Sequence, residues 1–156
     1  MKQYVIVDID GTIADNTERQ NEFLVGKDKI SQKDWDGFFD DVATSNDKPY
    51  HDIIQLVRTM IGEGYKIVFC TGRPEKNRYI TNLWISKYLH LLPENIDMMM
   101  RPDDDRRHDR EIKPPMLRMR GITPDKVFFI LEDRNSMVAE WRRLGYRVLQ
   151  VREGDF

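Results

Sequence analysis

The chain has 156 residues, 40% of them hydrophobic and 33% charged, with a formal net charge of -2. This suits a single domain with a sizeable core and excludes a protein that coats nucleic acid by bulk electrostatics, while leaving room for a local basic groove. The one cysteine, Cys70, excludes an intramolecular disulfide and a thiolate metal cluster, and within its apolar run it reads as a small buried hydrophobe suited to a reducing cytoplasm.

The first element is an apolar run, Tyr4 to Val7, that breaks into Asp8-Ile9-Asp10-Gly11-Thr12. A short β-branched run ending at a turn signal reads as a central strand of a parallel sheet. The run is cut by Asp8 too soon to form the apolar region of a signal peptide, and no later stretch has the length and apolarity to span a bilayer, so a cytoplasmic location is expected. Open α/β sheets bind ligands beyond the carboxyl ends of their strands, where Asp8 and Asp10 fall. Two unpaired carboxylates there are costly unless a cation or a reaction uses them. Gly11 permits a sharp turn, and Thr12 adds a hydroxyl at the same mouth.

From about residue 15 to 49 there is no strong strand candidate, yet Phe23, Leu24, Trp35, Phe38 and Phe39 stand among many charges. Trp35, Phe38 and Phe39 share a face of a short helix, so the segment reads as a small helical cap inserted after the first strand. The aromatic stripe packs this cap on the body; base stacking is the alternative use for its rings. Beyond the cap, helical spacing over His51 to Gly62, Pro74 to Leu89, Glu111 to Arg120 and Asn135 to Leu144 alternates with strand candidates. Those strands are Lys66 to Cys70, Ile96 to Met100, Val127 to Leu131 and Arg147 to Val151. The alternation predicts a Rossmann-like α/β fold, a parallel sheet with helices on both faces, as one domain over residues 1–156. Pro74 is expected in a first helical turn.

Chemistry gathers at the strand ends. Thr71-Gly72-Arg73-Pro74 ends the second major strand before a helix, where a hydroxyl, backbone N–H groups and a helix N-terminus make a phosphate site. Glu132-Asp133 brings a second acidic pair to the same mouth. Four converging carboxylates repel one another, and a hard divalent cation such as Mg2+ relieves this. Lys113 is placed to neutralise phosphate and carboxylates together.

Asp8-x-Asp10-Gly11-Thr12, Thr71, Lys113 and Glu132-Asp133, in that order, resemble the four motifs of the haloacid dehalogenase (HAD) phosphohydrolase superfamily. A closer resemblance is to the 3'-phosphatase domain of phage-type polynucleotide kinase/phosphatase, carried by Arg19, Gly72-Arg73, Arg101 and Asp109, by Met137 to Gly145, and by Gln150 to Phe156. The resemblance implies that Asp8 is a covalent nucleophile and Asp10 a general acid and base. Thr71 and Lys113 would hold the phosphate, with Arg19, Arg73, Arg101, Thr12 and Gly72 on the substrate. Mg2+ would be held by Asp8, the Asp10 main-chain carbonyl and Asp133, with Asp109 orienting Lys113 or an arginine. Glu132 stands where the phage domain has Asp, and three roles are open to it: direct metal ligand, ligand through water, or support for Lys113. The implied substrate is a 3'-phosphorylated nucleic-acid end or a nucleoside 3'-phosphate, as in nucleic acid repair. A small-molecule nucleotidase and a docking module for a separate kinase or ligase are the alternatives. No G-x-x-x-x-G-K-[ST] run is present, so no kinase half is expected.

Overall fold

The computed structural model describes residues 1–155. Five strands form one parallel sheet: β1 (Tyr4–Val7), β4 (Lys66–Pro74), β5 (Asp97–Arg101), β6 (Val127–Arg134) and β7 (Val148–Gly154). Their order is β5-β4-β1-β6-β7, so the winding direction reverses between β1 and β6. That reversal opens a crevice at the carboxyl ends of the two strands, immediately beyond Val7 and Leu131.

The continuous apolar runs follow from burial on both faces. Side chains alternate along β1, so Val5 and Val7 face one layer and Ile6 the other. The first layer holds Ile54 and Val57 from α4 (His51–Gly62) and Trp84, Ile85 and Leu89 from α5 (Arg78–Leu89). The second holds Leu117 from α6 (Asp109–Met119) and Met137, Val138 and Trp141 from α7 (Asn135–Arg143). The architecture is therefore the expected α/β sandwich.

Cys70 lies in the second layer at 2% exposure, and burial pushes its thiol up to about 12 against the smaller opposing effect of Lys113. An aromatic disulfide reagent at pH 8 is therefore expected to leave Cys70 untouched in the folded protein and to modify it fully in denaturant. Stoichiometric labelling of the native protein would contradict this burial.

Between β1 and α4 runs an insertion of α1 (Thr17–Phe23), α2 (Gln32–Phe38) and α3 (Asp41–Ser45). Two short strands absent from the sequence reading, β2 (Ala14–Asp15) and β3 (Lys48–Pro49), pair antiparallel and close its base. The two-residue pairing is too short to leave a period-2 pattern. Ser31 and Asp34 form a capping box that starts α2. Trp35, Phe38 and Phe39 pack on one another, with Trp35 and Phe39 stacked at 6.0 Å between centroids. The insertion is tied to the body where Asn77 Nδ2 donates to the Phe39 carbonyl and to Asp41 Oδ1, each at 2.7 Å.

Several boundaries move. Pro74 is not in a helix: it ends β4 in an extended conformation opposite Arg101, a single 3-10 turn follows at Glu75–Asn77, and α5 begins only at Arg78. Pairing with β5 carries the strand past Cys70, with a register shift before Pro74. Similarly, β6 extends to Arg134 and β7 to Gly154 because the two strands pair beyond the apolar core. Helix α6 starts at Asp109, where the His108 ring nitrogen accepts from the Arg110 N–H and the Glu111 side chain accepts from the His108 N–H. Pro114 and Pro115 sit inside this helix and release the carbonyls of Arg110 and Glu111, which are exposed residues.

Candidate active site

The end of β1 is fixed by the Asp8 N–H, which donates to the Leu131 carbonyl of β6 at 3.0 Å. This places Asp8 beside Glu132 and Asp133, with one oxygen from each of the three buried carboxylates within 4.8 Å of the others. Lys113, reaching up from α6 at 2% exposure, donates to Asp8 Oδ1 at 2.8 Å and Glu132 Oε2 at 3.2 Å. The Thr12 hydroxyl lies 2.9 Å from Asp8 Oδ2 and 3.3 Å from Asp133 Oδ1.

Three carboxylates thus face one ammonium. Burial and the charge of Asp8 push the Asp133 carboxyl up to about 7 against the pull of Lys113, and the same two causes raise Glu132 well above the usual carboxylate range. Burial disfavours the Lys113 ammonium, but Asp8 and Glu132 outweigh it and keep the group protonated. The surplus of negative charge and the all-oxygen donor set fit a hard divalent cation of the Mg2+ type. Of the roles open to Glu132, the geometry displays support for Lys113, while its carboxylate also belongs to the acidic trio.

The Asp10 side chain is engaged apart from this trio, by two arginines. Its Oδ1 accepts from Arg19 Nη2 at 2.5 Å and from Arg73 Nη2 at 2.7 Å. Burial would raise the Asp10 carboxyl, but Arg73 and Arg19 together hold it well below the usual range. Both guanidiniums are also gripped by Asp47: Arg19 Nε and Nη2 donate to its two oxygens at 2.8 and 2.6 Å, and Arg73 Nη2 donates at 3.2 Å. The Arg19 fork further donates to the Phe38 carbonyl at 2.7 Å and lies over the Phe38 ring.

A third cluster surrounds Asp109. Arg101 Nη2 donates to it at 2.5 Å, Arg134 Nη1 at 3.3 Å, and the Lys113 ammonium lies 3.9 Å away. Burial opposes ionisation of Asp109, but Lys113, Arg134 and Arg101 lower its carboxyl below the ordinary value. Arg101 Nε donates to the Gly72 carbonyl at 2.9 Å. A Cβ on Gly72 would stand 2.6 Å from Asp109 Oδ1, so the glycine is required by the Asp109 carboxylate packed against it.

The structure therefore brings Asp8, Thr12, Lys113, Glu132 and Asp133 together, and sets Asp10 in a neighbouring cluster. Thr71 is fully buried at the end of the β4 core, its oxygen accepting from the Arg73 N–H at 3.1 Å. The expected helix N-terminus at this point is absent, since α5 starts only at Arg78. Nor do the arginines form an open groove: the Arg19 and Arg73 side chains are 3% and 1% exposed and occupied by carboxylates. Thr12 likewise faces the acidic trio. Asp47 escaped sequence reading because its partners lie 28 and 26 residues away and no spacing marks the pair.

Gly11 has φ +79°, and a Cβ there would overlap the Asp133 carboxylate. Gly11→Ala is thus expected to cost about 1–2 kcal/mol of stability from the left-handed backbone alone. It should also displace Asp133 and raise the divalent-cation concentration needed for half-maximal activity, which a cation titration measures.

A five-stranded parallel sheet with an acidic trio, a buried Lys and Asp-x-Asp at the winding reversal defines a HAD-type phosphatase. A family model described as the polynucleotide kinase PNKP phosphatase domain matches residues 2–156, and the chain belongs to that family. Among solved structures, a chain of the Pnkp1/Rnl/Hen1 complex is 27% identical at a TM-score of 0.76, covering 100% of this chain and 47% of that one. The present chain thus spans about half the length of that relative. A haloacid dehalogenase-like hydrolase from Streptococcus pneumoniae shares the fold at 14% identity and a TM-score of 0.67, covering 96% of this chain and 84% of that one. So does a HAD family enzyme from Bacteroides thetaiotaomicron in complex with magnesium and inorganic phosphate, at 14% identity and a TM-score of 0.61, covering 100% and 97% of the two chains. No curated protein matches the chain. Among the described residues, no helix is long and apolar enough to cross a membrane.

Proposed function

We propose that this phosphatase removes 3'-phosphates from nucleic-acid ends or nucleoside 3'-phosphates through an aspartyl-phosphate on Asp8. The observation that carries the reading is the Asp8 carboxylate, held between Lys113 and Thr12 at the sheet's winding reversal, with Asp10 two residues on in an arginine-lined cluster. Membership of the polynucleotide phosphatase family supports the substrate class.

In this reading an Asp8 oxygen attacks phosphorus and the bond from phosphorus to the leaving oxygen breaks. Lys113 both orients Asp8 and meets the negative charge of the transferring group. The Thr71 hydroxyl, whose oxygen accepts from the Arg73 N–H, donates to a phosphate oxygen. Asp10 protonates the leaving oxygen and then takes a proton from the water that releases phosphate from Asp8. Its ionised resting state suits the second half directly. For the first half Asp10 takes up one proton from solvent as the anionic substrate binds, the charge of the substrate offsetting the hold of Arg19 and Arg73. Asp8 and Asp133, with the Asp10 main-chain carbonyl and with Glu132 directly or through water, would hold Mg2+. Bound there, Mg2+ screens the repulsion between the anionic nucleophile and the anionic phosphate. Asp109 keeps Lys113, Arg101 and Arg134 in register.

Residues 15–49 act as a cap, with Arg19 and Asp47 reaching from it towards Asp10. The similar chain of the Pnkp1/Rnl/Hen1 complex supports association with a separate kinase or ligase that finishes the repaired end.

The decisive experiment is a phosphate-release screen over 3'-phosphorylated DNA, 3'-phosphorylated RNA, nucleoside 3'- and 5'-phosphates and small phosphoesters, with Mg2+ and with chelator. Cation-dependent preference for 3'-phosphates is expected. Preference for 5'-mononucleotides would establish a nucleotidase instead, and inertness across the panel a docking module.

A further inference from the structure

Asp47 has no place in the chemistry above, yet it is 6% exposed and holds both guanidiniums that hold Asp10. It sits between α3 and β3, so its position is set from outside the sheet. Its main-chain carbonyl accepts from Trp84 Nε1 of α5 at 2.9 Å, which pins this residue to the body. Arg19 is thereby a bridge: the same Nη2 that donates to Asp47 Oδ2 at 2.6 Å donates to Asp10 Oδ1 at 2.5 Å. Arg73 closes the ring from β4, with Nη2 shared between Asp10 and Asp47 and Nη1 on the Thr81 hydroxyl at 3.2 Å.

Two negative and two positive side chains thus alternate around a square that is buried at Arg19, Asp47 and Arg73 and partly open at Asp10. Such a network is poor evidence for stability, because desolvation consumes most of the attraction, but it fixes orientation closely. A carboxylate that must meet a leaving oxygen within hydrogen-bond reach gains from being fixed in this way. Without Asp47, the forks of Arg19 and Arg73 would be free to close on Asp10 alone or to turn towards the substrate.

We propose that Asp47 is a positioning residue for phosphoryl transfer: it divides the hold of Arg19 and Arg73 so that Asp10 stays aimed at the leaving oxygen. The inference rests on the reading of Asp10 as the group that protonates that oxygen. As the bond from phosphorus to the leaving oxygen breaks, one proton passes from Asp10 to that oxygen and the electron pair of the broken bond stays with it. An alkoxide leaving group needs this proton, whereas p-nitrophenolate departs without it.

The test measures leaving-group release in a single turnover, with enzyme in excess so that only formation of the aspartyl-phosphate is read, for a 3'-phosphorylated oligonucleotide and for p-nitrophenyl phosphate in the parent protein, D47N, D47E, D10N and D10N/D47N. Asp10→Asn establishes the reference: it should slow release of the oligonucleotide by about 100-fold more than release of p-nitrophenolate. If it does not, the reading of Asp10 fails, and the inference about Asp47 falls with it. Given that reference, Asp47→Asn is expected to slow release of the oligonucleotide by about 10-fold more than release of p-nitrophenolate, and to add nothing in the D10N background. Equal losses on both substrates, no loss, or full additivity with D10N would overturn the positioning role while leaving Asp10 in place. Asp47→Glu keeps the charge and is read by the same ratio, so it decides the matter if D47N does not fold.

Discussion

Asp8→Asn is expected to abolish phosphate release, by about 10,000-fold or more, while the protein remains folded. The substitution keeps the shape of the side chain but exchanges the carboxylate proposed as nucleophile for an amide. Asp8 receives hydrogen bonds on both oxygens, from Lys113 at 2.8 Å and Thr12 at 2.9 Å, and an amide can accept only on one. The Lys113 ammonium retains Glu132 as a partner, so the buried cation is not orphaned. Circular dichroism and thermal melting should report a folded protein, and acid quenching should trap phosphoenzyme in the parent but none in the variant. Turnover surviving in a folded D8N protein would rule out the covalent route.

The second large effect is expected at Lys113. Its replacement by Met leaves Asp8 and Glu132 buried without the one ammonium that faces them. Removing one member of a buried charge pair costs about 3–5 kcal/mol, which urea unfolding measures. Activity should fall by about 1,000-fold, since in the proposed mechanism the same side chain meets charge on the transferring phosphate. Mg2+ should recover part of the lost stability by supplying positive charge to the trio, and should do so more strongly in K113M than in the parent. A variant as stable and as active as the parent would show that the buried ammonium has neither role.

The parts of this site legible in the sequence are those where chemistry and local pattern coincide. Asp8 and Asp10 follow a β-branched run, and Glu132-Asp133 ends another, so strand direction alone brings both pairs to one mouth. Lys113 was visible as a partner for them only once the order of the motifs was considered together. The misplacement of Pro74 has a different origin: a proline before helical spacing reads as a helix start, but pairing with Arg101 keeps the chain extended there. The fate of the arginines was hidden for a similar reason. Arg19 and Arg73 carry the charge expected of substrate contacts, yet a carboxylate that only tertiary folding brings to them, Asp47, commits both to the protein interior. Their number was readable from the chain, whereas their occupancy was not.

The origin of these charges sets a limit on how the enzyme can diversify. Arg19 and Asp47 arrive together on the insertion between β1 and α4, whereas Asp10 and Arg73 belong to the sheet. Exchanging that insertion for a larger or smaller one would alter which molecules reach Asp8. It would also remove one of the two guanidiniums on Asp10 and the carboxylate that steadies both. On the roles proposed for the cap and for Asp10, a transplanted cassette would have to bring its own Arg and Asp at matching positions, and selectivity and proton transfer would be inherited as one module.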